Sequence, residues 1–200
     1  MNKKLMTAAA VLLAFTTGVG GAMAYYTAQT DTVENTFHIV AGGGGSGDAV
    51  GEVEETFDPE DAKNLSPRAS FTKEAALSSS VDYDSYAYML VTIPNIYAKK
   101  GTETEKSWQD AVTMDIDTTN WEQVKAAAGS ETTPSRYLYR YKTVLSAQSK
   151  TGKLCTKGTV PDFTEAEELS GSIDITGYML SSANVTTADA DADAIANFFG

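Results

Sequence analysis

Cysteine is nearly absent from this sequence: Cys155 is the only one in 200 residues. A chain with one cysteine cannot form an intramolecular disulfide, so its stability must come from its core. Cys155 lies in a strand-like context, Lys-Leu-Cys-Thr, where a free cysteine is usually a small buried hydrophobe. A reactive thiol or an intermolecular disulfide is the alternative, but no histidine adjoins Cys155 in sequence to lower its pKa.

Histidine is equally scarce. His38 is the only one, and it lies among apolar neighbours in a strand-like segment, which favours a structural role. One histidine cannot form an H-E-x-x-H zinc site, and the segment 44–48, GGSGD, lacks the last glycine of a G-x-S-x-G nucleophile elbow. Acidic residues are numerous, but abundance alone is no evidence for the paired carboxylates of a glycoside hydrolase. The sequence indicates no catalytic residue, and we expect the protein not to be an enzyme.

Positive charge is also in short supply, with 15 Lys and Arg against 27 Asp and Glu and a formal net charge of −12. Binding to nucleic acid or to anionic lipid depends on lysine and arginine that neutralise phosphates. We therefore expect neither nucleic acid nor a membrane surface to be a partner. High negative charge favours solubility and suits divalent-cation bridging between molecules.

Long hydrophobic runs are missing. The strongly apolar run, residues 5–15, has only eleven residues, whereas a membrane-spanning helix needs about 20. Lys3 and Lys4 precede this run, and small residues follow it up to Ala22-Met23-Ala24. That order is typical of a secretory signal peptide with an A-x-A cleavage site, and a retained anchor is the alternative. We predict cleavage between Ala24 and Tyr25 and a mature protein outside the cytoplasm, without a membrane anchor.

Two segments follow the signal peptide, residues 1–24. Residues 25–47 form an N-terminal arm and a glycine-rich linker, since 36–40 looks like a strand and 42–47 reads GGGGSG. Within the arm, Tyr26, Val33, Phe37 and Ile39 are the candidate residues of an extended strand that could pair with another sheet. Residues 48–200 form the folded domain, which opens with a carboxylate-rich stretch, 48–61, expected to be a solvated loop or edge.

The folded domain is predicted to be mostly β. Residues 86–93 are apolar on both alternating faces up to Pro94, which is typical of a central strand covered on both sides. Residues 136–145 alternate strictly, which predicts a half-buried strand; further strands are expected at 112–116, 152–160 and 172–180. Two short helices are predicted, at 120–128 and at 188–199. Short strands without βαβ alternation favour a β-sandwich.

Two clusters are candidate binding residues. The row Tyr137, Tyr139 and Tyr141 on one strand face either packs inward or forms a binding face, and packing is the commoner use of such a row. The segment 189–193, DADAD, has the aspartate spacing of the start of a calcium loop. Such a loop needs glycine at position six and glutamate at position twelve, where this chain has alanine and glycine. Asp189, Asp191 and Asp193 are therefore only weak calcium candidates, and acids in a first helical turn are favoured. No other cofactor is indicated.

A family resemblance runs along the chain in several short segments. The segments are GGAMAYYTAQTD (20–31), similar to an A-x-F-x-D junction after a signal peptide; NTF (35–37), similar to an N-x-F strand; NLSP (64–67), similar to an N-L-x-P-G turn; AYMLVTIP (87–94), similar to Y-V-x-V-x-V-P; 137–145, similar to Y-x-Y-x-x-x-L; 151–155, similar to T-x-L-F; and the strand 173–180 with the Asp-Ala helix. Arg68 replaces the usual glycine, Cys155 replaces an aromatic residue, and the linker 42–47 is an addition. In this order the segments resemble the TasA and camelysin type of bacterial surface and fibre proteins.

The resemblance implies a jelly-roll β-sandwich secreted to the matrix or cell surface of a Gram-positive bacterium after cleavage by a SipW-type signal peptidase. It also implies a biofilm-matrix fibre in which the N-terminal strand of one subunit completes the sheet of the next, although the linker leaves open that the arm folds back on its own body. Camelysins have been described as metalloproteases, an activity that one histidine does not support. The other hypothesis is a monomeric surface module that binds glycan or protein through Tyr137 and Tyr139.

Overall fold

The computed structural model describes residues 51–57, 66–166 and 173–200 in full, and of the other residues it describes the backbone of three strands. The elements, in chain order, are β1 (Val11–Gly18), β2 (Gly21–Ala28), β3 (Asn35–Phe37), β4 (Gly51–Phe57), β5 (Ser70–Ser79), β6 (Ser85–Ile93), β7 (Asn95–Lys100), β8 (Ser107–Asp110), β9 (Thr113–Met114), β10 (Trp121–Ala127), β11 (Ser135–Tyr141), β12 (Cys155–Thr159), β13 (Phe163–Ala166), β14 (Asp174–Ser181) and α1 (Thr187–Phe199). No helix in the described part of the chain has the length and apolar character needed to span a bilayer.

The strands form four antiparallel sheets. Sheet I has the order β10-β11-β6-β14, sheet II the order β3-β4-β5-β12-β9, and sheet III the order β13-β7-β8, while β1 and β2 pair as a hairpin. The predicted all-β character is confirmed in this mostly β architecture.

The main core lies between sheets I and II. Val53 and Leu77 of sheet II belong to the same buried cluster as Met89, Val91 and Ile175 of sheet I. The strands supply these residues by alternation, because every second side chain of a strand points to the same face. Two sheets packed face to face therefore make the body of the protein.

A second core covers the outer face of sheet I. Tyr88, Leu90 and Leu138 point away from sheet II and pack against Ala190 and Ala194 of α1. Strand β6 is consequently buried on both faces, as its uninterrupted apolar sequence predicts. The strand β11 was expected to be half-buried, and this is wrong because α1 covers the face that carries Leu138, which is fully buried.

The chain turns from sheet I into sheet III at Pro94, where β6 was predicted to end. The carbonyl of Pro94 accepts the backbone N–H of Ala111 at 2.9 Å, and β7 begins at the next residue. Proline lacks the N–H that continued pairing would need, so one ladder ends there and another starts.

The predicted helix at 188–199 is confirmed as α1. Its first turn is capped by Thr186, whose Oγ1 accepts the backbone N–H of Asp189 at 3.2 Å. The predicted helix at 120–128 is wrong, because these residues form β10. Trp121 packs between the sheets and Val124 packs against the α1 side. Their spacing of three therefore places them on opposite faces of an edge strand.

Other predicted boundaries change in detail. The strand expected at 112–116 is only two residues long, and the strands expected at 136–145 and 152–160 are shortened to β11 and β12. The strand expected at 172–180 is confirmed as β14. The acidic stretch 48–61 is not a solvated loop where it is described, because β4 pairs on both sides, with β3 and β5, and buries Val53 completely.

Candidate functional site

The edge of sheet II is built by the N-terminal part of the chain. β3 pairs antiparallel with the first three residues of β4, and Thr36 lies opposite Glu52. Thirteen residues separate Phe37 from Gly51, and they include the glycine-rich linker. The pairing is made by main chain, so it places few demands on the sequence of the strand that occupies this edge.

The predicted arm residues fall partly on described strands. Phe37 lies in β3 opposite Gly51, and Tyr26 lies in β2 opposite Leu13; Val33 and Ile39 lie outside the described residues. The predicted cleavage residues Ala22, Ala24 and Tyr25 all lie within β2 and pair with β1.

An ion pair lies beneath this edge, inside the sandwich. Nζ of Lys73 in β5 is 2.8 Å from Oε2 of Glu55 in β4, and the side chains are 4% and 8% exposed. Burial raises the pKa of the Glu55 carboxyl although Lys73 beside it acts in the opposite direction. Sequence reasoning missed the pair because a lysine and a glutamate 18 positions apart give no local signal.

Cys155 adjoins this ion pair. Its thiol donates to the backbone carbonyl of Lys73 at 3.3 Å and is buried in the core. Burial raises the pKa of the Cys155 thiol to about 12, which agrees with the predicted role as a small buried hydrophobe.

We expect this thiol to be unreactive in the folded protein, because only a negligible fraction is thiolate at about pH 8 and the sulfur is shielded from reagent. Treatment with iodoacetamide followed by mass spectrometry should leave the native chain unmodified, while the chain in concentrated urea is fully alkylated. Rapid alkylation without denaturant would contradict the buried placement of Cys155.

A cavity of about 210 Å³ opens between sheet I and β9. Apolar side chains and polar groups both line it, and among the polar groups the hydroxyl of Tyr137 donates to Asp110. Burial, together with this hydrogen bond, raises the pKa of Tyr137 to about 12. The cavity has the size that accommodates a single small ring.

The tyrosine row does not form the exposed binding face that one hypothesis requires. Tyr139 is 9% exposed, so it belongs to the core, and Tyr137 and Tyr141 are partly buried against it. Among residues 51–57, 66–166 and 173–200, the exposed aromatic side chain is instead Trp108, 41% exposed, with its ring 5.4 Å from that of Tyr97 on the neighbouring strand. Sequence reasoning passed over Trp108 because its short strand has no periodic pattern.

The three candidate calcium aspartates do not converge. Asp189 accepts a hydrogen bond from Thr186 at 2.6 Å, Asp191 accepts one from Tyr88 of β6, and Asp193 accepts one from Tyr178 of β14. Successive helical residues are turned by about 100°, so Asp191 lies on the opposite side from the other two. Within the described residues, no group of three or more His, Cys, Asp or Glu side chains is arranged to hold a metal ion.

Asp191 joins α1 to two strands of sheet I, β6 and β11. One carboxylate oxygen of Asp191 accepts a hydrogen bond from the hydroxyl of Tyr88 at 2.9 Å, and the other accepts one from the guanidinium of Arg140 at 2.5 Å. Arg140 also donates to Glu122 of β10 at 2.7 Å. Burial, aided by Asp191, raises the pKa of the Tyr88 phenol well above its ordinary value, so Tyr88 acts as a hydrogen-bond donor that orients the helix.

The described residues thus offer a sheet edge occupied by an N-terminal strand, a small cavity and an exposed aromatic pair as candidate sites. Comparison of the chain with protein-family models, with curated proteins and with solved structures finds no match.

Proposed function

We propose that the protein is a secreted structural subunit of extracellular fibres or biofilm matrix, and that subunits assemble by N-terminal strand addition. The observation that supports this most is the pairing of β3 with β4 at the edge of sheet II. An edge strand that pairs by main chain and is joined to its sheet by a glycine-rich connection can be exchanged for the same strand of another subunit. The sequence resemblance to the TasA and camelysin type supports the same function.

The length of the connection makes both arrangements possible. A connection of thirteen residues can span at most about 45 Å. That span lets β3 fold back on its own β4, and it also lets β3 reach an adjacent subunit. At high subunit concentration, exchange between chains competes with the intramolecular pairing, whose effective concentration is in the millimolar range.

Signal cleavage has a structural consequence in this proposal. Cleavage after Ala24 by a SipW-type peptidase removes β1 and the first half of β2, so Tyr25 to Ala28 lose their strand partner. The new N-terminus then belongs to an arm with unpaired main chain. Processing is therefore the step that permits assembly in our proposal, and N-terminal sequencing of the secreted protein should begin at Tyr25.

The exchange is tested with a pair of cysteines at one register position. Thr36→Cys and Glu52→Cys, in a Cys155→Ala background, face each other across β3 and β4, and paired antiparallel residues lie within the Cα separation of a disulfide. We expect oxidation of concentrated, processed protein to give a ladder of covalent oligomers on a non-reducing gel. Disulfides formed only within one chain, at every concentration, would overturn the proposal.

A matched control uses two cysteines on strands that stay in the same subunit when β3 is exchanged. Glu52→Cys with Ser78→Cys joins β4 to β5 of the same body and should give monomers only. Deletion of residues 25–41 should leave a soluble monomer that forms no fibres by electron microscopy, and normal fibres without the arm would also contradict strand addition.

A second candidate is a monomeric surface module that binds glycan or protein. Trp108 and Tyr97 favour it, because an exposed tryptophan beside a tyrosine offers a flat aromatic surface to a ligand. A monomeric module should form the disulfide between positions 36 and 52 only within one chain. The same non-reducing gel therefore distinguishes the two proposed functions.

A further inference from the structure

The Glu55–Lys73 pair occupies an unusual place for two charged residues. Lys73 lies on the same strand face as Phe71 and Ala75, and Glu55 lies on the same face as Val53, all members of the core between the sheets. A complete ion pair therefore lies among apolar side chains.

Exposure distinguishes this pair from the others. Lys153 and Glu74 approach to 2.7 Å, but their side chains are 52% and 29% exposed. Lys73 and Glu55, 4% and 8% exposed, form the most buried ion pair in the described part of the chain. Solvent screens the first pair, whereas the second loses its hydration on folding.

The Glu55 carboxylate is also incompletely satisfied. Its Oε2 accepts a hydrogen bond from Nζ of Lys73, while Oε1 is buried and has no hydrogen-bond partner among the described residues. The ring of Phe57 lies 5.5 Å from the Lys73 ammonium and adds no acceptor for hydrogen bonds. Two buried charges and an unpaired acceptor make the ionised pair costly here.

We propose that Lys73 and Glu55 condense to an intramolecular amide that joins β5 to β4. In the low-dielectric core, a proton passes along the Nζ–Oε2 hydrogen bond and gives a neutral amine beside a neutral carboxylic acid. The Nζ lone pair attacks the carboxyl carbon, a C–N bond forms, and one carboxyl C–O bond breaks. That oxygen leaves with the acid proton and one amine proton as water, so the step needs no oxidant and no co-reactant.

Three observations favour the reaction over a permanent ion pair. The two groups are held at 2.8 Å by a paired sheet, which supplies the proximity that makes intramolecular reactions fast. Burial and the negative charge of Asp174 raise the pKa of Glu55, which favours the neutral acid that the amine attacks. Condensation also removes both charges and one of the two carboxyl oxygens, which are the costly features of the site.

Mass spectrometry of the denatured, purified protein tests the proposal. We expect a mass lower by about 18 Da, one water, than the sequence requires. Trypsin should fail to cleave after Lys73, since the acylated lysine is no longer a substrate, and tandem spectra should join the peptides that contain Glu55 and Lys73.

The control is the exposed pair Lys153–Glu74, whose N–O distance of 2.7 Å is close to that of the buried pair. Lys153→Met should keep the mass deficit, whereas Lys73→Met should abolish it. Cleavage after Lys153 should be normal in the wild-type protein. A wild-type chain that unfolds cooperatively, has the full sequence mass and is cleaved after Lys73 would overturn the amide, whether or not the Lys73 variant folds.

Discussion

Replacing Trp121 with alanine is expected to lower the free energy of unfolding by about 3–5 kcal/mol, the largest loss we predict for a single side chain. Trp121 is 1% exposed and is the bulkiest of the fully buried side chains. Its ring lies 5.1 Å from that of Tyr141, and its Nε1–H donates to the carbonyl of Gly152 at 3.2 Å. The substitution creates a cavity, ends the ring contact and leaves a carbonyl without its donor.

Urea denaturation followed by circular dichroism measures this loss. The second tryptophan of the chain is the matched control, because Trp108 also lies on a strand beside a tyrosine but is 41% exposed. Trp108→Ala should cost at most about 1.5 kcal/mol, the value of an aromatic pair. Equal losses in the two variants would mean that Trp121 does not lie in the core.

Asp191→Ala is expected to destabilise the protein by about 2–3 kcal/mol, more than the same change at Asp189 or Asp193. The substitution leaves the hydroxyl of Tyr88, which is fully buried, without an acceptor. It also removes one of the two carboxylates that pair with Arg140, whose side chain is 13% exposed. The gain in helix propensity from aspartate to alanine is common to the three variants and cancels in the comparison.

The neighbouring aspartates make weaker contacts. Asp189→Ala loses a hydrogen bond at the capped first turn, worth about 1 kcal/mol, and Asp193→Ala loses one to Tyr178, worth about 1 kcal/mol. Thermal unfolding of the three variants with and without calcium completes the measurement. A calcium-dependent rise in melting temperature that all three substitutions abolish would contradict the separate roles described above and would restore a shared calcium site.

Sequence reasoning worked where one local pattern determined both the element and its environment. The strand β6 has apolar residues on both faces and ends before Pro94, so its central position could be predicted from residues 86–93 alone. Helix α1 has aspartates in its first turns, and this local signal is also independent of the rest of the chain.

It failed where the environment depended on distant segments. The spacing of Trp121 and Val124 fits a helix as well as a strand, and only the packing of sheet II on one side and α1 on the other distinguishes them. Likewise, acidic β4 has the composition of a solvated segment, and nothing near Glu55 in sequence shows that Lys73 will accompany it into the core. A strand was predicted in the arm and corresponds to β3. The sequence does not determine whether β3 pairs with β4 of its own chain or with β4 of another subunit.

The docking of α1 affects how the protein folds. Tyr88 and Leu138 stay uncovered until the 13 residues of α1 are in place. A chain in which α1 is undocked presents an apolar sheet face to other molecules, and exposed apolar surface promotes association. We therefore expect a lower chain concentration during refolding to raise the yield of native protein.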